Sequence, residues 1–256
     1  MDSIRDSFDT PGHNEGFFHG DWQSHNVSNM TPETADPVVK EYSGAAKDYD
    51  NKWSFYIEAT TRETLKRLPI RANARVLDVG CGTGELLSKI AIAHPDAVLA
   101  GVDPVAAMLD VARGKLDRRA ELHVGYANAL LWPNESFDVL VSCNMFHYVT
   151  HPADALREMT RVLRPGGTLV ITDWCDDYLP CRICNVYLRM TNRAYFKTYR
   201  QGECRKLLQG AGFASPNIER YKINWLWGLM TAVVTKKISR KVTLNIEGSN
   251  SSLCEK

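Results

Sequence analysis

The chain has 256 residues, of which 44% are hydrophobic and 24% charged, and its formal net charge is +1. This length suits one substantial domain and is short for two. The near-zero net charge provides no overall field that would favour nucleic acid or an anionic membrane as a partner. No stretch approaches the roughly 20 apolar residues that a membrane-spanning helix needs, so we expect neither a nucleic-acid partner nor a membrane span.

The two ends of the chain differ in composition from its centre. Residues 1–36 are rich in Asp, Asn, Ser, His, Gly and Pro and show little periodicity, which predicts a mobile leader. We expect residues 37–238 to form a single domain and residues 239–256 to form a flexible tail. The leader lacks the apolar stretch of a signal peptide, and seven cysteines without such a signal are typical of reduced thiols. These features predict a cytoplasmic protein.

A helical pattern over residues 38–68 leads into the most informative stretch of the chain, residues 75–84. An apolar, β-branched segment ends in Asp78, three alternate glycines follow, and a second helical pattern then begins. This predicts a strand, a tight loop and a helix start, which bring backbone close to a nucleotide-like ligand. The dinucleotide fingerprint is Gly-x-Gly-x-x-Gly, whereas the spacing here is Gly-x-Gly-x-Gly. A carboxylate at the strand end would repel a pyrophosphate and suits a ligand that carries positive charge.

The rest of the domain alternates strands with helices. Strands are predicted near residues 74–79, 97–102, 121–125, 137–142, 167–172, 217–222 and 226–234, and helices near 84–93, 105–116 and 153–163. Pro165-Gly166-Gly167 is expected to end the last of these helices. Thr198 and Gln201 are expected to form a capping box for a further helix through Ala211. This rhythm predicts an α/β fold: a doubly wound, Rossmann-like, seven-stranded and mostly parallel sheet with helices on both faces and an N-terminal helical cap.

Residues 174–199 lie outside this alternation and predict a lid insertion after the fifth strand. The segment is rich in aromatic side chains, among them Trp174, Tyr178 and Tyr195. An insertion there sits over the carboxyl edge of the sheet, where open α/β folds bind ligands. Two interpretations stay open: a helical hairpin that uses its aromatics as core, or an apolar lid that forms an acceptor pocket and excludes water. On the second interpretation these three aromatic residues contact the substrate.

Four segments resemble class I S-adenosylmethionine-dependent methyltransferases. Residues 78–84 are similar to the first motif of that family, 100–103 to the acidic end of its second strand, 134–142 to the approach to its fourth, and 163–171 to the turn and fifth strand. The similarity covers roughly residues 40–235 and is strongest to the small-molecule branch around the quinone-biosynthesis methyltransferases. The resemblance implies S-adenosyl-L-methionine as the cofactor and a small molecule as the methyl acceptor.

The resemblance also implies cofactor contacts. Asp103 is expected to accept hydrogen bonds from the ribose diol, and Asp78 to lie near the cofactor amino group. Tyr49 either covers the cofactor carboxylate or packs within its helix, and Pro104 and Met108 either flank the adenine or serve in helix packing. The full set of expected cofactor contacts is Tyr49, Asp78, Gly80, Cys81, Gly82, Thr83, Gly84, Asp103, Pro104, Met108, Ala127, Asn128, Ala129, Cys143, Asn144 and Met145.

The adenine end departs from the pattern of the family. Related sequences have Gly-Asp-Ala after the third strand, whereas this chain has Gly125-Tyr126-Ala127-Asn128-Ala129. Tyr126 therefore occupies the position of the acid, and either Asn128 offers an amide oxygen to the adenine or Tyr126 stacks on it. The departure also supports an alternative function, a catalytically inactive methyltransferase-like binding or scaffold protein. A nicotinamide-dependent oxidoreductase is disfavoured by the glycine spacing.

His147 is the candidate catalytic residue. It lies in the segment 143–149, which the resemblance places between the methionine end of the cofactor and the acceptor. Its unperturbed pKa permits base chemistry near neutrality, and packing or orientation is the alternative role. We expect methyl transfer by in-line displacement to a small, aromatic or partly apolar metabolite.

Three cysteines of the insertion, Cys175, Cys181 and Cys184, are spaced C-x5-C-x2-C. Thiolates at such a spacing could hold zinc or a thiophilic acceptor. Because the sequence has no second CxxC pair, we expect no metal site and small buried side chains instead. A thiol-assisted metalloid methyltransferase remains the less favoured alternative.

Overall fold

The central element of this fold is a seven-stranded sheet. The computed structural model describes residues 36–238, so the expected leader up to residue 35 and the expected tail 239–256 lie outside the described residues. The strands are β1 (Arg75–Val79), β2 (Val98–Asp103), β3 (Ala120–Val124), β4 (Phe137–Cys143), β5 (Leu163–Trp174), β6 (Asn217–Lys222) and β7 (Gly228–Thr235). The helices are α1 (Pro37–Ser43), α2 (Tyr49–Lys52), α3 (Ser54–Leu65), α4 (Glu85–Ala93), α5 (Ala106–Leu116), α6 (Pro152–Val162), α7 (Leu179–Thr191) and α8 (Gln201–Gly210).

The strand order is β3-β2-β1-β4-β5-β7-β6. The pairings among β1 to β5 are parallel, and β7 runs antiparallel to both β5 and β6. The order changes direction at β1, which has β2 on one side and β4 on the other. Doubly wound sheets bind ligands in the crevice at the carboxyl ends of such strands. The predicted seven-stranded, mostly parallel α/β fold is confirmed.

Successive residues of the strands supply two hydrophobic cores, one on each face of the sheet. Val76 of β1 belongs to the core that includes Leu87 of α4 and Leu109 of α5. Its neighbour Leu77 belongs to the opposite core, which includes Leu156 of α6. Because both faces are covered by helices, the central strands are apolar at nearly every position, and this is why they were recognisable in the sequence.

The capping box expected at Thr198 and Gln201 is wrong. Helix α8 begins at Gln201, and its first turn is closed by Glu203, whose Oε2 accepts from the backbone N–H of Arg200 at 3.0 Å. Thr198 is 1% exposed and its hydroxyl is hydrogen bonded to that of Tyr195. The Thr198 hydroxyl therefore bonds within the insertion, and Glu203 closes the first turn of the helix instead.

Two further expectations differ from the structure. Helix α6 ends at Val162 and the chain passes directly into β5, so Pro165-Gly166-Gly167 lies within the first part of that strand instead of ending the helix. The segment 174–199 contains one helix, α7, and not a helical hairpin. Among the described residues, no helix is both long enough and apolar enough to cross a lipid bilayer.

Candidate functional site

The loop between β1 and α4 is left-handed at each of its glycines. The φ angles are 79° at Gly80, 51° at Gly82 and 74° at Gly84. The Gly80 N–H donates to the carbonyl oxygen of Val102 at 2.8 Å, which ties the loop to β2. A Cβ on Gly80 would lie 2.2 Å from Met145 Cγ, whereas one on Gly82 would meet nothing within 4 Å. The middle of the loop therefore borders open space.

The two other side chains of the loop are engaged elsewhere. Cys81 is 7% exposed and packs in the core that contains Leu87, and burial raises the pKa of its thiol well above the ordinary range. Thr83 is buried, and its hydroxyl donates to Asp50 Oδ1 at 2.6 Å. The loop consequently offers a ligand its backbone and not its side chains.

Asp103 closes β2 and binds the loop directly. Its Oδ2 accepts from the Gly82 N–H at 2.8 Å, and its Oδ1 accepts from the Val105 N–H at 2.9 Å. Burial raises the pKa of Asp103 to about 6, and these two backbone donors partly oppose the rise. Each carboxylate oxygen keeps a further acceptor position after these bonds, so the geometry is compatible with donors from a ligand diol.

Asp78 is the carboxylate that the fold leaves incompletely satisfied. It is 2% exposed, and its Oδ1 has no hydrogen-bond partner among the described residues. Burial, and next the charge of Asp103, raise the pKa of Asp78 to about 8. A buried polar atom without a partner costs free energy that a ligand donor would recover. This unsatisfied acceptor therefore fits a cationic group that donates hydrogen bonds, such as the amino group of S-adenosylmethionine.

The N-terminal helices α1 to α3 contact this loop and its neighbours. Asp50 of α2 accepts from Thr83, and its Oδ2 lies 2.6 Å from Nζ of Lys115 on α5. Tyr49 precedes it, packs edge-on against Tyr42 with ring centroids 5.8 Å apart, and has its pKa raised, chiefly by burial. This arrangement joins α2 to both the glycine loop and α5.

Asn144 connects the ends of β4 and β5 to α3. It has a left-handed φ of 58°, and its Nδ2 donates to Thr60 Oγ1 at 2.7 Å. Its Oδ1 accepts from the Tyr56 hydroxyl at 2.7 Å, and the same hydroxyl accepts from Trp174 Nε1. Three elements that are distant in sequence therefore meet at one polar cluster at the carboxyl edge of the sheet.

His147 is buried and held by a carboxylate at the end of β5. Its Nδ1 lies 2.6 Å from Asp173 Oδ1, and its backbone N–H donates to Asp173 Oδ2 at 2.9 Å. The imidazole stacks on Trp174 at 5.4 Å between ring centroids, and the rings of Tyr148 and Tyr195 lie at 4.1 and 5.7 Å. Because Nδ1 faces a carboxylate, a neutral imidazole carries its proton there and leaves Nε2 as an acceptor.

The expected substrate residues divide into two groups. Trp174 and Tyr195 lie beside His147. Tyr178 packs against Gly228 instead, where a Cβ would lie 1.9 Å from its Cδ2, and the Lys222 ammonium lies 5.4 Å from its ring centroid. The structure therefore brings two of the three aromatic residues to the candidate catalytic histidine.

The residues expected at the adenine end lie after β2 and β3. Met108 is 3% exposed and packs with Ala46 and Val105 beneath α1, while Pro104 is half-buried. Tyr126 and Ala129 form an isolated antiparallel bridge, so residues 126–129 make a tight turn. Ala127 packs against the core, and Asn128 and Ala129 are exposed.

Cys143 and two cysteines of the insertion have partners within the protein. Cys143 Sγ lies 3.3 Å from Thr64 Oγ1, and burial raises its pKa to about 12. Cys175 Sγ contacts Asp177 Oδ2 at 3.5 Å, and Cys181 Sγ contacts the Gly228 carbonyl oxygen at 3.3 Å. Among residues 36–238, no group of three or more His, Cys, Asp or Glu side chains is arranged to hold a metal ion. Cys184 is half-buried beside them.

Sequence reasoning missed Asp173, Tyr56 and Asp50 as members of the site. Asp173 follows an apolar strand just as Asp78 and Asp103 do, so a signal was present. Asp50 and Tyr56 lie in a helical segment whose docking on the glycine loop the sequence does not encode in any local pattern.

Part of this chain matches a known protein family, and several known proteins are similar to it. Residues 77–171 match the family described as a methyltransferase domain. The 27-O-demethylrifamycin SV methyltransferase of Amycolatopsis mediterranei is 31% identical over 166 residues, covering 57% of this chain and 61% of the relative. The ubiquinone/menaquinone biosynthesis C-methyltransferase of Hahella chejuensis is 37% identical over 155 residues, covering 54% and 62%. The chain thus spans about six tenths of the length of these relatives.

A solved structure supports the same fold. The S-adenosylmethionine-dependent methyltransferase from Thermotoga maritima superposes with a TM-score of 0.65 at 19% identity, over 78% of this chain and all of that one. The resemblance drawn from the sequence is confirmed, and the matched residues, 77–171, include the glycine loop, Asp103 and His147.

Proposed function

We propose that this protein, which carries a methyltransferase domain over residues 77–171, transfers a methyl group from S-adenosyl-L-methionine to a small molecule. The observation that carries the proposal is the pair of buried carboxylates around a left-handed glycine loop. Asp103 holds the loop, and Asp78 presents an unpartnered oxygen beside it. The relatives named above support small-molecule chemistry, since one is named for a demethylrifamycin and the other for quinone biosynthesis.

The cofactor supplies a methyl group on a sulfonium, which is already activated toward a nucleophile. The residues that would hold the nucleoside are Asp78, whose free oxygen would accept from its amino group, Asp103, which would accept from its ribose, and the backbone of the glycine loop. Met145 packs over Gly80, and Tyr49 of α2 precedes Asp50, which accepts from Thr83 of the loop. These residues would orient the bound nucleoside, and orientation of reacting groups supplies on the order of 7–11 kcal/mol of barrier reduction.

The acceptor side is formed by His147, Trp174 and Tyr195. Two aromatic rings beside the imidazole suit a small, aromatic or partly apolar metabolite that lies flat against them. His147 Nε2 takes the proton of the acceptor during an in-line displacement, and Asp173 stabilises the resulting imidazolium through Nδ1. A positioned base of this type contributes roughly 10²–10⁴-fold to the rate.

Incubation with methyl-labelled cofactor and a panel of ring-bearing hydroxyl, amine and carbon acceptors tests the proposal. We expect label in at least one ring-bearing acceptor, and none when Asp103→Ala replaces the wild-type chain. Tight cofactor binding with no labelled product across the panel would contradict methyl transfer and favour the inactive binding protein that the Tyr126 departure suggested.

A further inference from the structure

We propose that the outer face of α7 docks on the surface of an anionic lipid bilayer. This outer face consists of Leu179, Ile183, Val186, Tyr187 and Met190, which are between 57% and 82% exposed. Their spacing of three and four residues places them in one stripe along the helix. A continuous apolar stripe of this kind on a surface marks a docking site.

The opposite side of α7 is already used for packing, so rotation of the helix cannot bury the outer face. Cys181 is 1% exposed and Asn185 is 7% exposed. Asn185 Oδ1 accepts from the Tyr195 hydroxyl at 2.8 Å, and its Nδ2 donates to Asp176 Oδ1 at 3.2 Å. The helix is therefore fixed with its apolar stripe turned outward.

The charged side chains of α7 and of the residues that follow it are all positive. From Tyr178 to Gly202 the chain contains no Asp or Glu. Arg182 and Arg189 are exposed on α7, Arg193 is exposed just after it, and none of the three forms an ion pair with another described residue. Apolar side chains flanked by unpaired arginines match an interface of acyl chains and anionic headgroups. The net charge of +1 for the whole chain conceals this local asymmetry.

A tryptophan is also exposed in a turn that contacts α7. Trp225 is 79% exposed in the turn between β6 and β7. That turn is held against the start of α7, because the Gly228 N–H donates to Cys181 Sγ at 3.2 Å and Cys181 Sγ lies 3.7 Å from the Leu226 carbonyl oxygen. Tryptophan prefers the headgroup level of a bilayer, which agrees with a lipid partner.

The same charges argue against a second copy of the chain as the occupant. A twofold pairing of α7 with itself applies one patch to its own copy. It would therefore bring Arg182 and Arg189 of both copies around one apolar stripe, with no acidic side chain on either helix to compensate them. An anionic bilayer supplies the missing negative charge.

Co-sedimentation of the full chain with lipid vesicles tests this inference without using the enzymatic activity. The probes are vesicles of phosphatidylcholine alone and of phosphatidylcholine mixed with phosphatidylglycerol. We expect binding to the mixed vesicles that falls as salt is raised, and little binding to the neutral ones. The double variant Ile183→Ser/Met190→Ser and the double variant Arg182→Gln/Arg189→Gln should each bind roughly tenfold less.

Ile92→Ser is the matched control, because Ile92 is 81% exposed on α4, at a distance in sequence from α7. It should sediment like the wild type, and thermal melts should show that all variants fold. Equal vesicle binding by the wild type and the Ile183→Ser/Met190→Ser variant would overturn the inference. So would a wild-type dimer that binds no lipid and becomes a monomer in that variant, since it would assign the face to a second copy.

Discussion

Asp78 is a residue whose burial opposes folding at neutral pH. Its pKa of about 8 lies above the value of about 4 for an exposed carboxyl, and burial is the largest cause. The folded chain therefore binds a proton that the unfolded chain has released between these two pH values. By linkage, this residue lowers stability progressively as the pH rises from about 4 to about 8, and the loss is complete above that range.

Asp78→Asn should consequently stabilise the protein that has no ligand, and more so at pH 8 than at pH 5. We expect a rise in the melting temperature of about 3 °C or more at pH 8, measured by differential scanning fluorimetry. Asp110→Asn, at an exposed position of α5, is the control and should change little. A melting temperature that falls equally at both pH values would contradict the raised pKa.

Gly80 is constrained both by its φ of 79° and by Met145. Gly80→Ala should therefore reduce the melting temperature by several degrees and lower the affinity for S-adenosylhomocysteine at least tenfold, because the backbone of the loop must shift. The matched control is Gly114→Ala in α5, where a Cβ meets nothing within 4 Å. It should be neutral or stabilise by roughly 0.5–1 kcal/mol. Equal effects of the two substitutions would contradict the strained loop.

The contact between His147 and Asp173 leads to a prediction about kcat. Asp173→Asn should lower kcat by a factor on the order of 10²–10⁴ while the Kd for the cofactor stays unchanged, because it alters the imidazole and not the nucleoside site. The pH profile of kcat should also shift, which a merely structural role would not cause. His123→Ala removes a half-buried imidazole paired with Glu121 and should retain full activity. A parallel loss of cofactor binding would argue for a structural pair.

At the scale of secondary-structure elements, the strands of the sheet were predictable from the sequence. The outward orientation of the apolar side chains in the insertion was not. The central strands were recognised because burial on both faces makes them continuous apolar runs between glycine and charged residues. Strand β5 begins earlier than predicted because its first residues, around Pro165-Gly166-Gly167, resemble a turn in sequence but belong to the strand, at a point where its pairing with β4 shifts in register. For the insertion, the sequence left open whether its apolar side chains form core or line a pocket, whereas five of them in α7 face outward. Helical periodicity in a sequence indicates that apolar side chains share one face of a helix. It does not indicate whether protein or solvent covers that face.

The contacts of helix α2 lead to a second prediction at the scale of secondary-structure elements. Asp50 joins it to Thr83 and Lys115 through partly exposed contacts, each worth at most about 1 kcal/mol. Asp50→Ala should therefore change the melting temperature by only a few degrees, yet increase hydrogen exchange over residues 46–53. Affinity for S-adenosylhomocysteine should fall several-fold, since α2 contacts the glycine loop. Unchanged exchange in that segment would show that apolar packing alone holds α2.

At the scale of the whole molecule, the topology decides which residues meet. Asp103 ends β2, Asp78 and Asp173 are the penultimate residues of β1 and β5, and the parallel order brings these three strand ends to one edge of the sheet. The sequence predicted the first two through the resemblance to a family. It did not predict the third, because the pairing of Asp173 with His147 joins residues 26 positions apart that only the assembled sheet brings together.

The central claim is that the glycine loop and its two carboxylates hold a sulfur-containing nucleoside. Isothermal titration calorimetry of the full chain with S-adenosylhomocysteine tests it most directly, with Asp103→Ala and Gly114→Ala titrated alongside. We predict saturable binding of one equivalent by the wild type and by Gly114→Ala, and a loss of at least tenfold in affinity for Asp103→Ala, which removes the acceptor of the Gly82 N–H and the proposed acceptor of the ribose. A folded wild-type chain that takes up no nucleoside, or an Asp103→Ala variant that binds it equally well, would contradict the account.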